Sequence, residues 1–283
     1  MKMAIIGHGF VGKAVDAGFN DPRIEKYIID PALYGTELKN LNKDIDLACI
    51  CLPTPMNDDG TINADLVLEV TEWLYYNTND CLIVIKSTIT PDVISSTIKP
   101  KMAMATWNRN IVYNPEFLAE RNAIEEFLNP TIHVFGGHID DCSRLHSYYD
   151  DYSACRQCPT HYTTFEEASF IKYGINCFLA SKVMWFNQFA EIIHKSKARY
   201  SRVVNAMIDD PRIGASHTTV PGYDGKLGFG GACFPKDTSA FLHYAGDFSI
   251  LEEVINANNE VRKQYEIDDR EKSNNIVYNT RKS

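Results

Sequence analysis

The stretch "KMAIIGHGFVG", Lys2 to Gly12, constrains the fold more than any other part of the chain. An apolar run there meets Gly7-x-Gly9-x-x-Gly12, a spacing that suits a strand turning sharply into a helix. The first glycine allows the tight turn, the second lets backbone meet a pyrophosphate, and the third lets helix pack on strand. Phosphate then rests on the helix N-terminus. Asp30 closes "YIID" about twenty residues further on, where a carboxylate accepts from both ribose hydroxyls of an adenosine. The same carboxylate repels a 2′-phosphate, and Pro31, not an arginine, follows it. The expected cofactor is NAD, held by Gly7, Gly9, Phe10, Val11, Gly12 and Asp30. An α/β domain whose glycines only shape a turn is the plain alternative.

The rest of the first half continues the same alternation. Short apolar runs ("DLACICL", "CLIVIKS", "NIVYNP", "TIHVFGG", "HYTTF") read as strands, several covered on both faces as in a parallel sheet. Helical stretches such as Ala64–Tyr76 and Asp140–Asp151 separate them. The fold class is therefore α/β: a Rossmann-type doubly wound parallel sheet over residues 1–165, followed by an all-α domain over 166–283. A long helical pattern from Glu166 to about Lys197 opens that second domain and offers a dimerisation face. The tail "EIDDREKSNNIVYNTRKS" is polar and expected to fray or dock loosely.

Composition excludes several classes of partner. A net charge of −9 argues against nucleic acid, which needs a basic face. No apolar run approaches the ~20 residues that span a bilayer, and the start lacks a signal-peptide pattern, so a cytoplasmic protein is expected. The eight cysteines have no framework spacing and are expected to be reduced thiols. Cys155 and Cys158 have CxxC spacing near Cys142 and His161, but no second pair completes a zinc site, and no metal is expected.

Chemistry concentrates elsewhere. In "LGFGGACFPKD", Gly228, Gly230 and Gly231 let a ligand approach closely, and Pro235 suits a first helical turn. Cys233 then sits at a loop-to-helix junction, where the helix dipole favours a thiolate; an idle thiol in a glycine loop is the alternative. Lys172 and Asn176 are four apart and share a helix face, as an oxyanion site or as a solvated lysine beside a capping asparagine. Glu116 and Glu120, also four apart, follow a strand end, with Pro115 placed to begin a helix. Asp237, one turn past Cys233, can orient water or Lys172.

These motifs occur together in one known family. "GHGFVG" (7–12), "CLPTPMNDDGTINADLV" (51–67), "KSTITP" (86–91), "NPEFLAERNAIEEFLNP" (114–130), "ASFIKYGINCFLA" (168–180), "DPRIG" (210–214) and "GFGGACFPKD" (228–237) follow one another as they do in it. The chain resembles the UDP-glucose/GDP-mannose 6-dehydrogenases over most of residues 1–265. The resemblance implies a four-electron oxidation of a nucleotide sugar with NAD, through a cysteine thiohemiacetal and thioester. It implies Cys233 as nucleophile, Glu116 as base for thioester hydrolysis, and Lys172, Asn176, Asp237 and Thr88 as their catalytic partners. Pro53, Thr54, Pro55, Ser87, Thr88 and Glu120 join the cofactor site by the same resemblance. Substrate contacts fall to Glu116, Phe117, Leu118, Glu120, Lys172, Asn176, Arg212, Gly228, Phe229, Gly230 and Gly231. Arg212 matches an arginine that reaches a neighbouring subunit's site, which implies a homodimer.

The sequence also departs from the family pattern. Ser169 stands where a glutamate is usual, "YDGKL" lengthens the loop before the glycines, and the chain is expected to lack the family's C-terminal nucleotide-gripping domain. Two other readings compete: a two-electron 3-hydroxyacid dehydrogenase, and a dinucleotide-binding protein without turnover.

Overall fold

The computed structural model describes residues 1–98 and 110–278. Two compact units divide it: Met1–Thr54 with Asn63–Lys172, and Pro55–Ile62 with the chain from Tyr173 on. The division falls at Lys172–Tyr173, inside a continuous helix.

A seven-stranded sheet builds the first unit: β1 (Lys2–Ile6), β2 (Glu25–Ile29), β3 (Leu47–Ile50), β4 (Leu82–Ile85), β5 (Ile111–Tyr113), β6 (His133–Gly137) and β7 (Thr160–Thr163). Their order is β2-β1-β3-β4-β5-β6-β7. Every pair is parallel except β5 and β6, which run antiparallel with Val112 opposite Gly137. The sheet is thus the expected doubly wound one, parallel but for that single pair. The chain leaves β1 for β2 on one side and returns to β3 on the other, so the order reverses beside β1. Ligands bind at such a reversal, outside the carboxyl ends of the strands.

The apolar runs "LACI" and "LIVI" are buried along their whole length, while edge strands β2 and β7 keep exposed positions. Helices α1 (Phe10–Gly18), α2 (Asp65–Asn77), α3 (Ala123–Leu128) and α4 (Ile139–Tyr152) belong to the same unit. Val15, Phe19, Phe127, Phe135 and Tyr149 meet Ile5, Leu47 and Val84 in its core. Burying each such side chain contributes about 1.5–3 kcal/mol.

Helix α5 (Phe165–His194) is 30 residues long, or ~45 Å. A reciprocal cap starts it: Glu167 N–H donates to Thr164 Oγ1 at 3.2 Å, and Thr164 N–H donates to Glu167 Oε2 at 2.8 Å. With no proline inside, nothing interrupts it before His194.

The second unit is helical, with α6 (Tyr200–Ile208), α7 (Phe234–Ala245), α8 (Ser249–Arg262) and α9 (Asp269–Ser273) following α5. Cys177, Leu242 and Leu251 form one core cluster; Ala180, Met184 and Phe229 form another. The tail departs from expectation. Asp268 and Glu271 make a capping box at the start of α9, and Glu271, Ile276 and Tyr278 are all buried. Glu271 is paired inside the protein with Arg262 and Tyr278, which composition alone does not reveal. Among the described residues, no helix is long and apolar enough to cross a membrane.

Candidate active site

The first feature lies at the end of β1. Gly7 has φ +85°, and a Cβ there would stand 2.6 Å from the Cys51 carbonyl oxygen beyond β3. A Cβ on Gly12 would run into the Gly7 carbonyl. The turn therefore requires both glycines on steric grounds. Gly9 caps α1 without any side-chain partner, and no acid occupies the first turn around Phe10 and Val11. An anion at that N-terminus meets helix amides and no competing carboxylate. This cradle fits the pyrophosphate of NAD.

Asp30 has a structural duty as well. Its Oδ2 accepts from His8 N–H at 2.8 Å and its Oδ1 accepts from Leu33 N–H at 3.1 Å, fixing the turn after β2 to the glycine loop. His8 is held by Tyr34 and Asp16. Where the chain leaves β3 and β4, Ser87 Oγ accepts from Leu52 N–H at 3.0 Å and donates to the Ile50 carbonyl, while Thr54 and Thr88 are buried nearby in sequence. Pro53 and Thr54 close this part of the first unit, and Pro55 belongs to the second.

At the carboxyl end of β5 the structure joins Glu116 to Lys172. Lys172 Nζ donates to Glu116 Oε1 at 3.0 Å and to the Glu116 carbonyl, and both side chains are buried. Glu116 Oε2 accepts from Leu118 N–H at 2.6 Å, and the Phe117 ring lies 5.5 Å from the ammonium. One expectation fails here. Residues 115–119 are not helical, a 3₁₀ turn spans Glu120–Asn122, and Glu120 is exposed while Glu116 is buried. The two carboxylates are therefore not one helical turn apart. Proline only permits a helix; here the chain first satisfies the buried pair.

Sequence reasoning missed the lysine that braces this turn. Lys86 Nζ is buried and donates to Asn114 Oδ1 at 2.8 Å and to the Asn114 carbonyl at 3.3 Å, with Tyr149 Oη 3.4 Å away. Asn114 Nδ2 in turn donates to the Val134 carbonyl at 3.0 Å. Burial pushes the Lys86 pKa below that of a free lysine. Ser169, the departure from the family pattern, is fully buried and donates to the Ile89 carbonyl at 2.7 Å.

The second unit holds the other cluster. Asn176 Nδ2 donates to Asp237 Oδ2 at 2.6 Å, and Lys236 Nζ donates to Asp237 Oδ1 at 2.6 Å. Asp237 is wholly buried. Lys236 stands in the motif "FPKD" but carried no sequence signal of its own, because lysine is ordinarily a surface residue. Cys233 is the N-cap of α7, is partly exposed, and accepts from Asp237 N–H at 2.8 Å through its carbonyl. Pro235 lies in the first turn. Helix α5 supplies Lys172 to one cluster and Asn176 to the other, one turn apart.

Two remaining candidates stand apart from these clusters. Arg212 is exposed in the loop after α6 and pairs with Asp210 through Nη2 at 2.6 Å. The thiol of Cys155 donates to the Phe127 carbonyl at 3.1 Å. Among the described residues no three His, Cys, Asp or Glu side chains meet as a metal site.

Comparison with known proteins adds to this geometry. Residues 28–151 match the model for the NAD binding domain of the UDP-glucose/GDP-mannose dehydrogenase family, and residues 166–263 match that for its central domain. The chain is similar to a UDP-glucose 6-dehydrogenase of Haloferax volcanii, 29% identical over 86% of this chain and 65% of the relative. A UDP-glucose 6-dehydrogenase of Rickettsia bellii is 33% identical over 81% of this chain and 52% of its own. The chain thus spans between about half and two thirds of the length of such relatives. The fold resembles a solved UDP-glucose dehydrogenase from Pyrobaculum islandicum, with TM-score 0.75 and 24% identity over 92% of this chain and 68% of that one. It also resembles a 3-hydroxyisobutyrate dehydrogenase of Mycobacterium tuberculosis, with TM-score 0.67 and 16% identity over 93% of both chains.

Proposed function

Because the chain belongs to the UDP-glucose/GDP-mannose dehydrogenase family and carries its NAD-binding domain, we propose that it oxidises a nucleotide sugar at C6, with UDP-glucose converted to UDP-glucuronate. The observation that carries this reading is the buried pair beside Cys233 in the second unit. Asn176 holds the buried carboxylate of Asp237, and Asp237 belongs to the first turn of the helix that Cys233 caps.

In this scheme Lys172 and Asn176 steady the sugar alkoxide, as donors aimed where negative charge develops. When bound, NAD supplies the hydride acceptor, used twice per sugar. The Cys233 thiolate adds to the C6 aldehyde, giving a thiohemiacetal whose oxidation leaves a thioester. Glu116 takes a proton from the water that cleaves the thioester, releasing carboxylate and thiolate. The balance is one alcohol, one water and two NAD⁺ giving one carboxylate, two NADH and three protons.

The protein acts as a homodimer, with Arg212 entering the partner's site and Phe178, Trp185 and Ile192 on α5 forming the contact. These three are exposed at seven-residue intervals, the spacing of a helix seam. The setting is the cytoplasm, where the eight free thiols stay reduced.

NADH absorbance with a panel of nucleotide sugars tests the proposal. Two NADH per uronate are expected, with UDP-glucose the preferred substrate over GDP-mannose. One NADH per substrate points instead to two-electron hydroxyacid chemistry. Cys233→Ser is expected to abolish uronate formation while NAD⁺ affinity stays within about twofold, far below the tenfold that 1.4 kcal/mol represents. An unchanged uronate rate removes the thioester route.

A further inference from the structure

The glycines before Cys233 have neighbours inside the protein. A Cβ on Gly230 would run into Arg262 Nη2 and Glu271 Oε1, and one on Gly228 would stand 2.5 Å from Asn258 Oδ1. Side chains from three directions hold this loop by its backbone. Asn187 Oδ1 accepts from Gly228 N–H at 2.9 Å. Asn258 accepts from Phe229 N–H at 2.7 Å and donates to the Phe229 carbonyl at 3.0 Å. Glu271 Oε1 accepts from Gly231 N–H at 3.2 Å, two residues before the thiol.

Glu271 lies in the tail that sequence alone left loose. Its Oε1 also accepts from Arg262 Nη2 at 2.7 Å and Tyr278 Oη at 2.6 Å, and its Oε2 accepts from Asp268 N–H at 2.9 Å. Arg262, itself buried, uses Nη1 to hold Asp224 Oδ2 at 2.7 Å. Asp224 belongs to "YDGKL", the lengthened loop before the glycines. The tail also grips a second segment, with Met56 N–H donating to the Asn274 carbonyl at 3.1 Å and Asn275 Nδ2 donating to the Met56 carbonyl at 3.2 Å.

Stability alone does not call for charges in such a place. Replacing a buried ion pair by apolar side chains is often neutral or stabilising. What a carboxylate provides that a leucine does not is direction: four donors converge on two oxygens at set angles. One of those donors is the backbone of the loop that leads into Cys233.

We propose that Glu271 is a positioning residue for Cys233, its buried carboxylate fixing the glycine turn that carries the thiol. The proposal rests on reading Cys233 as the nucleophile. Displacing a reacting group by about 1 Å costs on the order of 100-fold in rate, so a turn held at several backbone atoms has a catalytic use.

The test compares Glu271→Ala, Glu271→Gln and Tyr278→Phe in the full chain, with two readouts. The first is kcat and KM with UDP-glucose. The second is the rate at which iodoacetamide alkylates Cys233 at pH 7, resolved by peptide mass spectrometry. Glu271→Ala is expected to lower kcat by ~10–100-fold with a smaller change in KM. It also slows Cys233 alkylation about threefold or more, as the thiol leaves the field of the α7 N-terminus. Glu271→Gln keeps an acceptor for Gly231 and restores both readouts to within about threefold of the parent.

A lower melting temperature in Glu271→Ala, with the Cys233 alkylation rate and kcat of the parent, would overturn the proposal. If Glu271→Ala does not fold, Tyr278→Phe decides. It loses one hydroxyl and is expected to slow alkylation in the same direction, and an unchanged rate again overturns the idea. Alkylation needs no turnover. A parent chain inactive on every nucleotide sugar would therefore defeat the proposed function and still leave this comparison to be decided by the thiol.

Discussion

Lys86 and Lys172 are two buried ammonium groups in the first unit, and they differ in how their charge is answered. Lys172 meets a carboxylate, Glu116, at 3.0 Å. The hydrogen-bond acceptors of Lys86 are neutral, an amide and a backbone carbonyl of Asn114, with a tyrosine hydroxyl alongside. Burial lowers its pKa, so between that value and the ordinary 10.5 the unfolded chain binds more protons than the folded one. The burden on stability is full below the folded pKa and is relieved as pH rises through this window. Lys86→Met is therefore expected to match or exceed the parent in urea unfolding at pH 7 and to lose that advantage as pH approaches 10. Tyr149, held protonated by burial, adds its own slope only above pH 10, and the difference between variant and parent isolates the lysine. A constant difference across this range would contradict the argument. Turnover should fall, because Asn114 loses the partner that braces the turn to Glu116. None of this is legible in "IKST", since only the fold tells a buried lysine from a solvated one.

At the scale of elements, the strand–turn–helix from Lys2 to Gly18 was readable because its sterics are local. Gly12 must pass close to Gly7, and both lie in one short stretch. Gly12→Ala drives a methyl group into the Gly7 carbonyl and is expected to weaken NAD⁺ binding at least ~10-fold, seen by quenching of protein fluorescence. Affinity equal to the parent would show that the turn tolerates what its geometry forbids. The helix α5 was readable for a similar reason, an uninterrupted periodic pattern entered through Thr164 and Glu167. The segment 115–122 was not. Pro115 and two glutamates four apart read as a helix start, yet a long-range partner, Lys172, decides the conformation of Glu116. The antiparallel pairing of β5 with β6 is equally invisible, because both strands carry the same apolar residues either way.

For the whole molecule the seam on α5 gives a prediction about assembly. Phe178, Trp185 and Ile192 are 69%, 51% and 63% exposed and share one seam of α5. Trp185→Glu is expected to shift the sedimentation coefficient from dimer to monomer. Arg212→Ala is expected to keep the dimer and lower kcat/KM. If the parent sediments as a monomer at micromolar concentration, the homodimer is wrong, and Arg212 is a surface residue paired with Asp210.

What the sequence determined by itself was whatever depends on near neighbours: the glycine turn and its acid, the apolar strands, the long helix, and the family motifs that order them. These follow from steric limits and periodicity within a few residues of chain. Tertiary structure decided the rest. It joined Glu116 to Lys172 and Asn176 to Asp237, buried Lys86 and Lys236, and turned a polar tail into the support of the Cys233 loop. The physical reason is burial. A charged side chain has the same name in water and in the core, and only the packed chain shows which ones must find partners.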